Sequence, residues 1–70
     1  MSGRRMPKYE IRPVDVGGRT QWHWRLRATN GEIVCSGEHY KTKGGARQGI
    51  EGHRRNALRA VVVELEALSD

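Results

Sequence analysis

An Asn-Gly pair between two stretches of alternating apolar and polar residues constrains this chain most. Asn30-Gly31 follows "WHWRLRAT" and precedes "EIVCSG". Asn and Gly tolerate the positive φ angles of a type I′ turn, so the sequence predicts a tight β-hairpin at this point. The register expected for such a turn consists of the pairs Thr29 with Glu32, Ala28 with Ile33, and Leu26 with Cys35.

The two faces of this hairpin differ in polarity, because successive side chains of a strand point to opposite sides. The inner, apolar face is predicted to hold Trp24, Leu26, Ala28, Ile33 and Cys35. The reverse face is predicted to hold Arg25, Arg27, Thr29, Glu32, Val34 and Ser36. We therefore expect Trp24 to lie in the core and Arg25 and Arg27 to face solvent or a ligand.

A further strand is predicted from Lys8 to Val14, where "KYEIRPV" alternates with period two. Tyr9 and Ile11 fall on one side, and the other side carries Lys8, Glu10 and Arg12. Since proline has no N–H to donate, Pro13 should lie at the strand end or on a sheet edge. The following "DVGGRTQ" is predicted to be a loop.

A helix is predicted from Lys43 to Arg55, with the hydroxyl of Thr42 as its N-cap. One narrow face of this helix consists of residues spaced three and four apart, namely Ala46, Gly49, Ile50, His53 and Ala57. Each glycine weakens a helix by roughly 1 kcal/mol relative to alanine, so this helix must depend on docking. The small residues would allow a close approach to the sheet, where two tryptophans need room.

The segment after this helix, "NALRAVVVELEALSD", fits two patterns. Helical spacing is satisfied by Leu58, Val61, Val62, Leu65 and Leu68, whereas strand alternation is satisfied by Val61, Val63 and Leu65. Periodicity does not decide between them. The run of three valines favours a strand, because β-branched side chains lose rotamer freedom in a helix and pack well on a pleated surface.

Length and composition limit the architecture to one small domain. A chain of 70 residues buries only about 60% of its unfolded surface, so its core is thin. Its single cysteine allows no intrachain disulfide and fits a reducing cytoplasm, and no run of apolar residues suits a membrane helix or a secretory signal. We expect a flexible N-terminus at residues 1–7, one domain at residues 8–67 and a tail at residues 68–70.

The charge balance favours an anionic partner, since 13 Lys and Arg residues oppose 8 Asp and Glu residues. The candidate contact residues are Lys8, Arg12, Arg25 and Arg27 on the outer sheet face, extended by Arg47, Arg54 and Arg55 on the helix. One interpretation is a solvated face on which these cations pair with Glu10 and Glu32. The other is a surface for nucleic-acid phosphates, although this face lacks the stacking aromatics of sheet-type RNA binders.

The single cysteine and the three histidines of this chain are its candidates for a catalytic or metal-binding site. Cys35, His23, His39 and His53 lack the close ligand spacing of zinc motifs. Cys35 is predicted to face inward and His23 outward, so these two form no dyad within one subunit. We therefore expect that the protein is not an enzyme and binds no metal or cofactor. We expect His53 to be a hydrogen-bonded core or interface histidine, with a pH-sensitive dimer as the alternative.

Several of these stretches together resemble the YegP-like family of small bacterial domains of unknown function. The resemblance runs from about Tyr9 to Leu65 and is most specific in "WRL.A.NG" at Trp24–Gly31, in the helix entry at Tyr40–Lys43, and in the spacing of Ala46, Gly49 and Ile50. His53 and Leu58-Arg59 depart from the family pattern. The second departure keeps a longer C-terminal helix as an alternative.

The resemblance implies an α+β fold, with an antiparallel sheet in a β-β-β-α-β unit. It further implies that two such units form one continuous sheet and exchange their C-terminal strands. For a single unit this implies a homodimer, whose exchanged strand would contain Ala60, Val61, Val62, Val63 and Leu65. We expect a non-enzymatic structural, interaction or regulatory module, with sequence-nonspecific nucleic-acid binding as the alternative.

Overall fold

The computed structural model of the protein describes residues 6–67. Three antiparallel strands form a sheet in the order β1-β2-β3, and one helix packs on it. These elements are β1 (Lys8–Val16), β2 (Arg19–Arg27), β3 (Ile33–Tyr40) and α1 (Lys43–Arg59). The α+β class and the β-β-β-α order are therefore confirmed. Of the predicted flexible N-terminus and tail, residues 1–5 and 68–70 lie outside the described residues.

The first connection is a two-residue turn rather than the predicted loop over "DVGGRTQ". Gly17 and Gly18 both have positive φ, 58° and 80°, as a type I′ turn requires. Val16 pairs with Arg19 directly across this turn, so β1 and β2 are both longer than predicted. The loop prediction was wrong because β2 begins with polar residues, Arg19 and Thr20, and Val16 before the turn is exposed, so the apolar alternation does not continue across the turn.

The second hairpin lies where the Asn-Gly pair predicts it, but its turn type is different. Gly31 has φ 90°, whereas Asn30 does not have a positive φ, so the turn is not type I′. Gly31 N–H donates to the Ala28 carbonyl at 2.9 Å, and Ala28 N–H donates to the Glu32 carbonyl at 2.8 Å. This is a three-residue loop in which a left-handed glycine forms a bulge after the turn.

The bulge changes the register near the turn. Leu26 pairs with Cys35 as predicted, but Ile33 pairs with Arg27 and not with Ala28. The predicted Thr29–Glu32 pair is replaced by the Ala28–Glu32 hydrogen bond. Consequently Ile33 leaves the inner face and is 52% exposed.

The core lies between the inner sheet face and α1. Its buried residues are Trp24, Ala46 and Ile50, and the side chains packed around them are Tyr9, Ile11, Trp22, Leu26, Cys35 and Tyr40. The predictions for Trp24, Leu26 and Cys35 are confirmed. The core is thin, as the chain length predicts, because only three of the described hydrophobic residues are buried.

Two glycines make room for the indole of Trp24. A Cβ placed on Gly37 of β3 would lie 2.1 Å from Trp24 Nε1, and one placed on Gly49 of α1 would lie 3.1 Å from the same atom. Neither position holds a positive φ, so it is close approach and not backbone conformation that requires glycine there. The prediction that small helix residues make space for a tryptophan is confirmed at Gly49.

Helix α1 begins as predicted and ends later than predicted. Thr42 is the N-cap, and its Oγ1 accepts a hydrogen bond from Gly45 N–H at 2.9 Å. The helix continues past Arg55 to Arg59, and Ala60 then has extended backbone angles, φ −68° and ψ 140°. Residues 60–67 form neither helix nor a paired strand in this single chain. A helix through Leu65 is therefore excluded, and strand pairing of this segment with a second chain stays a prediction.

Candidate functional site

The open face of the sheet, opposite α1, carries a ladder of cross-strand pairs between β1 and β2. These pairs are Lys8 with Arg27, Glu10 with Arg25, and Arg12 with His23. Strand alternation places all of them on the side away from Trp24. The four cations predicted for the sheet therefore share one face, which we call the basic sheet face, defined by Lys8, Arg12, Arg25 and Arg27.

Glu10 is the one carboxylate of β1 and β2 on the basic sheet face, and it holds two of the arginines. Arg25 Nε donates to Glu10 Oε1 at 2.7 Å, and Arg27 Nε donates to the same oxygen at 3.2 Å. Lys8 Nζ lies 3.7 Å from Glu10 Oε2. The hydrogen bond from Arg25 is the largest cause of a lowered pKa at Glu10, with Arg27 adding to it. The carboxylate thus orients both guanidinium groups while leaving a positive excess.

A histidine pair extends this row toward β3. His23 pairs with His39, and their ring centroids are 5.2 Å apart. Burial lowers the pKa of His23, and the neighbouring Arg12 and His39 lower it further. His23 therefore remains neutral at neutral pH and adds no charge to the basic sheet face. The prediction that His23 faces away from Cys35 is confirmed.

The three helix cations do not join the basic sheet face. Arg47 and Arg55 line a shallow depression on α1 with Gln48 and Glu51. Arg54 Nη1 lies 3.4 Å from Glu51 Oε2 on the same helix. Since α1 covers the inner side of the sheet, the seven predicted contact residues form two groups separated by the sheet.

A cluster of three functional side chains lies on the inner side and was not predicted as a unit. His53 Nδ1 is 2.6 Å from Tyr9 Oη, and His53 Nε2 is 3.7 Å from Cys35 Sγ. The imidazole of α1 thus links β1 to β3 over the sheet, beside Trp24, whose ring centroid is 5.2 Å away. The prediction that His53 is a hydrogen-bonded core histidine is confirmed.

The phenol of Tyr9 stays protonated in this cluster, because burial raises its pKa and the neighbouring Cys35 raises it further. Cys35 itself is only partly buried. The sequence did place Tyr9, Cys35 and His53 separately on inner faces. Their convergence depends on how α1 crosses the sheet, which the pattern of one helix does not specify.

Lys43, the first residue of α1, forms a separate contact with Trp22 of β2. Lys43 Nζ lies 5.8 Å from the ring centroid of Trp22, within the range of a cation–π interaction. Trp22 is half-buried and packs against the core. A lysine of the same chain thus lies over the ring of Trp22.

The described residues contain neither a candidate metal site nor a helix suited to span a membrane. Within residues 6–67, no group of three or more His, Cys, Asp and Glu side chains could hold a metal ion. Nor does this part of the chain contain a helix with the length and apolarity needed to cross a bilayer.

The segment after α1 exposes several large apolar side chains. Val61, Val62, Val63 and Leu65 are 79%, 94%, 65% and 86% exposed, respectively. Leu58, three residues before Val61 and near the end of α1, is also exposed. A contiguous apolar stretch of this kind is a typical feature of an interaction surface.

Comparison with known proteins identifies relatives of this chain. The family described as "Domain of unknown function (DUF1508)" matches residues 19–64. A UPF0339 protein of Treponema denticola is 47% identical over 45 residues, which cover 64% of this chain and 78% of the relative. A UPF0339 protein of Methanosarcina acetivorans is 38% identical over 61 residues, covering 87% of this chain and 100% of the relative.

A longer relative and a solved structure are also similar to this chain. The UPF0339 protein YegP of Yersinia pestis is 38% identical over 58 residues, and this chain spans only 49% of its length. An NMR solution structure of a protein from Haloferax volcanii has a TM-score of 0.61 and 38% identity, covering 86% of this chain and 100% of that one. The sequence relationship and the fold therefore agree.

Proposed function

Because this chain belongs to the DUF1508 family, which is of unknown function, we propose its role from its own surfaces: a non-enzymatic interaction module that forms a homodimer by exchanging segment 60–65. The observation that carries this proposal is the exposure of Val61, Val63 and Leu65. In an extended segment these three side chains share one face. They need an apolar partner that the described part of their own chain does not provide.

Energetics and backbone geometry support the exchange. Burying a valine or leucine side chain contributes roughly 1.5–3 kcal/mol, which is substantial beside a core of three buried residues. The backbone at Ala60 is already extended where it leaves α1. Pairing of the segment with a second copy would also cover a sheet edge, and the self-complementary contact would close as a dimer.

The lengths of the relatives support an assembly of two units. This chain matches the whole of the Methanosarcina acetivorans relative but about half of YegP from Yersinia pestis. A protein with room for two such units in one chain is consistent with a pair of units as the working assembly.

The test is the molar mass in solution, measured by sedimentation equilibrium on the full chain and two double variants. Val61→Asn/Val63→Asn changes the proposed buried face, and Glu64→Asn/Glu66→Asn introduces the same side chain twice on the opposite face. We expect a dimer for the wild type and for the Glu variant, and a monomer for the Val variant. A monomeric wild type, or a Val variant that stays dimeric, would contradict the proposal.

We propose nucleic-acid binding through the basic sheet face as a second candidate. The observation that favours it is the alignment of Lys8, Arg12, Arg25 and Arg27 on one open face, where Glu10 is the one carboxylate that β1 and β2 supply. Arginine presents five N–H donors, so a guanidinium that uses Nε for Glu10 retains donors for phosphate. Continuation of the sheet through a dimer would double this surface.

Binding of labelled random-sequence DNA and RNA at several salt concentrations tests this candidate. Phosphate contacts require a log–log slope of about −0.7 to −0.9 per neutralised phosphate. Arg25→Ala/Arg27→Ala should abolish binding, whereas Arg47→Ala/Arg55→Ala removes the same charge from α1 and should leave it nearly unchanged. Equal loss in both variants would show a nonspecific charge effect, and no binding at low salt would refute this second function.

A further inference from the structure

We infer that Cys35, His53 and Tyr9 form a reactive thiol site that undergoes thiol–disulfide exchange with low-molecular-weight disulfides. The reaction is stoichiometric and is independent of the proposed interaction role. It rests on a sulfur nucleophile, an imidazole within hydrogen-bond reach, and a third group that orients the imidazole. Three side chains in these roles are the signature of an activated nucleophile.

The geometry gives each member one role. Cys35 Sγ lies 3.7 Å from His53 Nε2, so the thiol proton has an acceptor. His53 Nδ1 lies 2.6 Å from Tyr9 Oη, so the phenol oxygen can accept a hydrogen bond from Nδ1–H and leave the lone pair of Nε2 free. In this tautomer the Cys35 thiol can donate to Nε2, and both contacts persist when Nε2 takes the thiol proton. Tyr9 is therefore a positioning residue.

The environment of the cluster also suits a small neutral reagent. Tyr9 and Trp24 flank the imidazole with edge-on or tilted rings, at centroid distances of 5.7 Å and 5.2 Å. These rings restrict the rotation of His53 and keep it directed at Cys35. Cys35 as a residue is only partly buried, so we expect a small molecule to reach its sulfur. Cysteine next to an imidazolium reacts as the thiolate at lower pH than free cysteine does.

Thiol–disulfide exchange at Cys35 exchanges one S–S bond for another. A new S–S bond forms between Cys35 Sγ and one sulfur of the reagent, and the S–S bond of the reagent breaks. The Cys35 sulfur is oxidised and the departing sulfur is reduced. The proton leaves Cys35 for His53 Nε2 and is then delivered to the departing thiolate, so a mixed disulfide and one free thiol are the products.

The experiment uses the full native chain and 4,4′-dithiodipyridine, a small disulfide that is neutral at neutral pH and releases a coloured thione. Because Cys35 is the only cysteine, the signal reports that site alone. The reference is the same chain unfolded in urea. We expect the native chain to react at least about tenfold faster than the unfolded chain at pH 6.5, with the advantage disappearing near pH 9.5, where unassisted thiols also ionise.

Variants separate the chemistry from the fold. His53→Gln keeps a hydrogen-bonding side chain but no base, and it should remove the advantage at pH 6.5. Tyr9→Phe should reduce the advantage and move the pH profile toward that of the unfolded chain. His39→Gln, a histidine substitution away from the cluster, should change neither.

Two results would overturn the inference. One is a native rate no higher than that of the unfolded chain at every pH, which needs no variant to fold. The other is a His53→Gln variant that retains the circular dichroism spectrum and the reactivity of the wild type. Neither result depends on the outcome of the sedimentation experiment.

Discussion

Alanine substitution at two glycines should shift stability in opposite directions. A Cβ on Gly37 would lie 2.1 Å from Trp24 Nε1 and 2.2 Å from Trp24 Cε2. Trp24 is 5% exposed, and Gly49 of α1 also packs against its Nε1, so the indole has little room to move away. In contrast, no described atom lies within 4 Å of a Cβ placed on Gly52 of α1, where φ is not positive.

The magnitudes follow from these distances. Placing extra atoms in a filled site typically costs about 1–3 kcal/mol. Alanine offsets about 0.5–1 kcal/mol of this cost, because glycine destabilises a strand relative to alanine. Gly37→Ala should therefore lose about 2 kcal/mol, the upper end of the range after the strand gain is subtracted, because three indole atoms would lie 2.7 Å or less from the new Cβ. Gly52→Ala should gain roughly 1 kcal/mol, the helix propensity difference between the two residues.

Thermal unfolding followed by circular dichroism measures both effects at one protein concentration, since dimerisation would make the midpoint concentration-dependent. For a domain of this size 1 kcal/mol moves the midpoint by about 4–8 °C. We expect a fall of about 8–16 °C for Gly37→Ala and a rise of about 4–8 °C for Gly52→Ala. A neutral Gly37→Ala would refute the packing of Trp24 against β3, and a destabilising Gly52→Ala would refute the open side of α1.

Three further predictions concern local contacts. Thr42→Ala should lose the N-cap bond to Gly45 and about 1 kcal/mol in urea unfolding, whereas Thr42→Ser should lose little; equal losses would exclude the cap. Gly31→Ala should lose roughly 1 kcal/mol because of its positive φ, and Gly31→Asn less, so the reverse order would refute the bulge. The hydrogen bond from Arg25 lowers the pKa of Glu10 in the folded state. The Glu10 carboxylate therefore stabilises the fold above its unfolded pKa of about 4.3. This stabilisation is lost as the pH falls through the lower pKa that Glu10 has in the folded state. The urea midpoint of the wild type should therefore fall more steeply below about pH 5 than that of Glu10→Gln, and parallel curves would show that the ion pair is energetically silent.

Much of the fold was predictable from side-chain alternation. Trp24 and Leu26 were placed on the buried face and Arg25 and Arg27 on the open face, because one face of a half-buried strand must be apolar. The Thr42 cap was predictable from its hydroxyl and its position ahead of the helical pattern. These features depend on residues close together in sequence.

Features that depend on backbone detail were predicted less well. An Asn-Gly pair suits a type I′ turn, yet it also suits a turn followed by a left-handed glycine, and the second arrangement moves Ile33 out of the core. The Gly17-Gly18 turn was not predicted because β2 begins with the polar residues Arg19 and Thr20. Helix α1 extended past Arg55 because nothing at Leu58-Arg59 opposes helical geometry.

The candidate sites divide in the same way. The basic sheet face was predictable because its residues alternate along two strands, but the role of Glu10 as a shared partner of Arg25 and Arg27 required the register. The contact of His53 with Tyr9 and Cys35 required the angle at which α1 crosses the sheet. Long-range convergence of this kind is not encoded in any local pattern.

The most direct test of the account is an isotope-filtered NOESY experiment on a mixture of labelled and unlabelled chains. Exchange of segment 60–65 predicts cross-peaks from the methyl groups of Val61, Val63 and Leu65 of one copy to core aromatic protons of the other. Absence of these interchain cross-peaks, at a concentration where sedimentation reports dimers, would contradict strand exchange. It would show that the dimer forms through another surface.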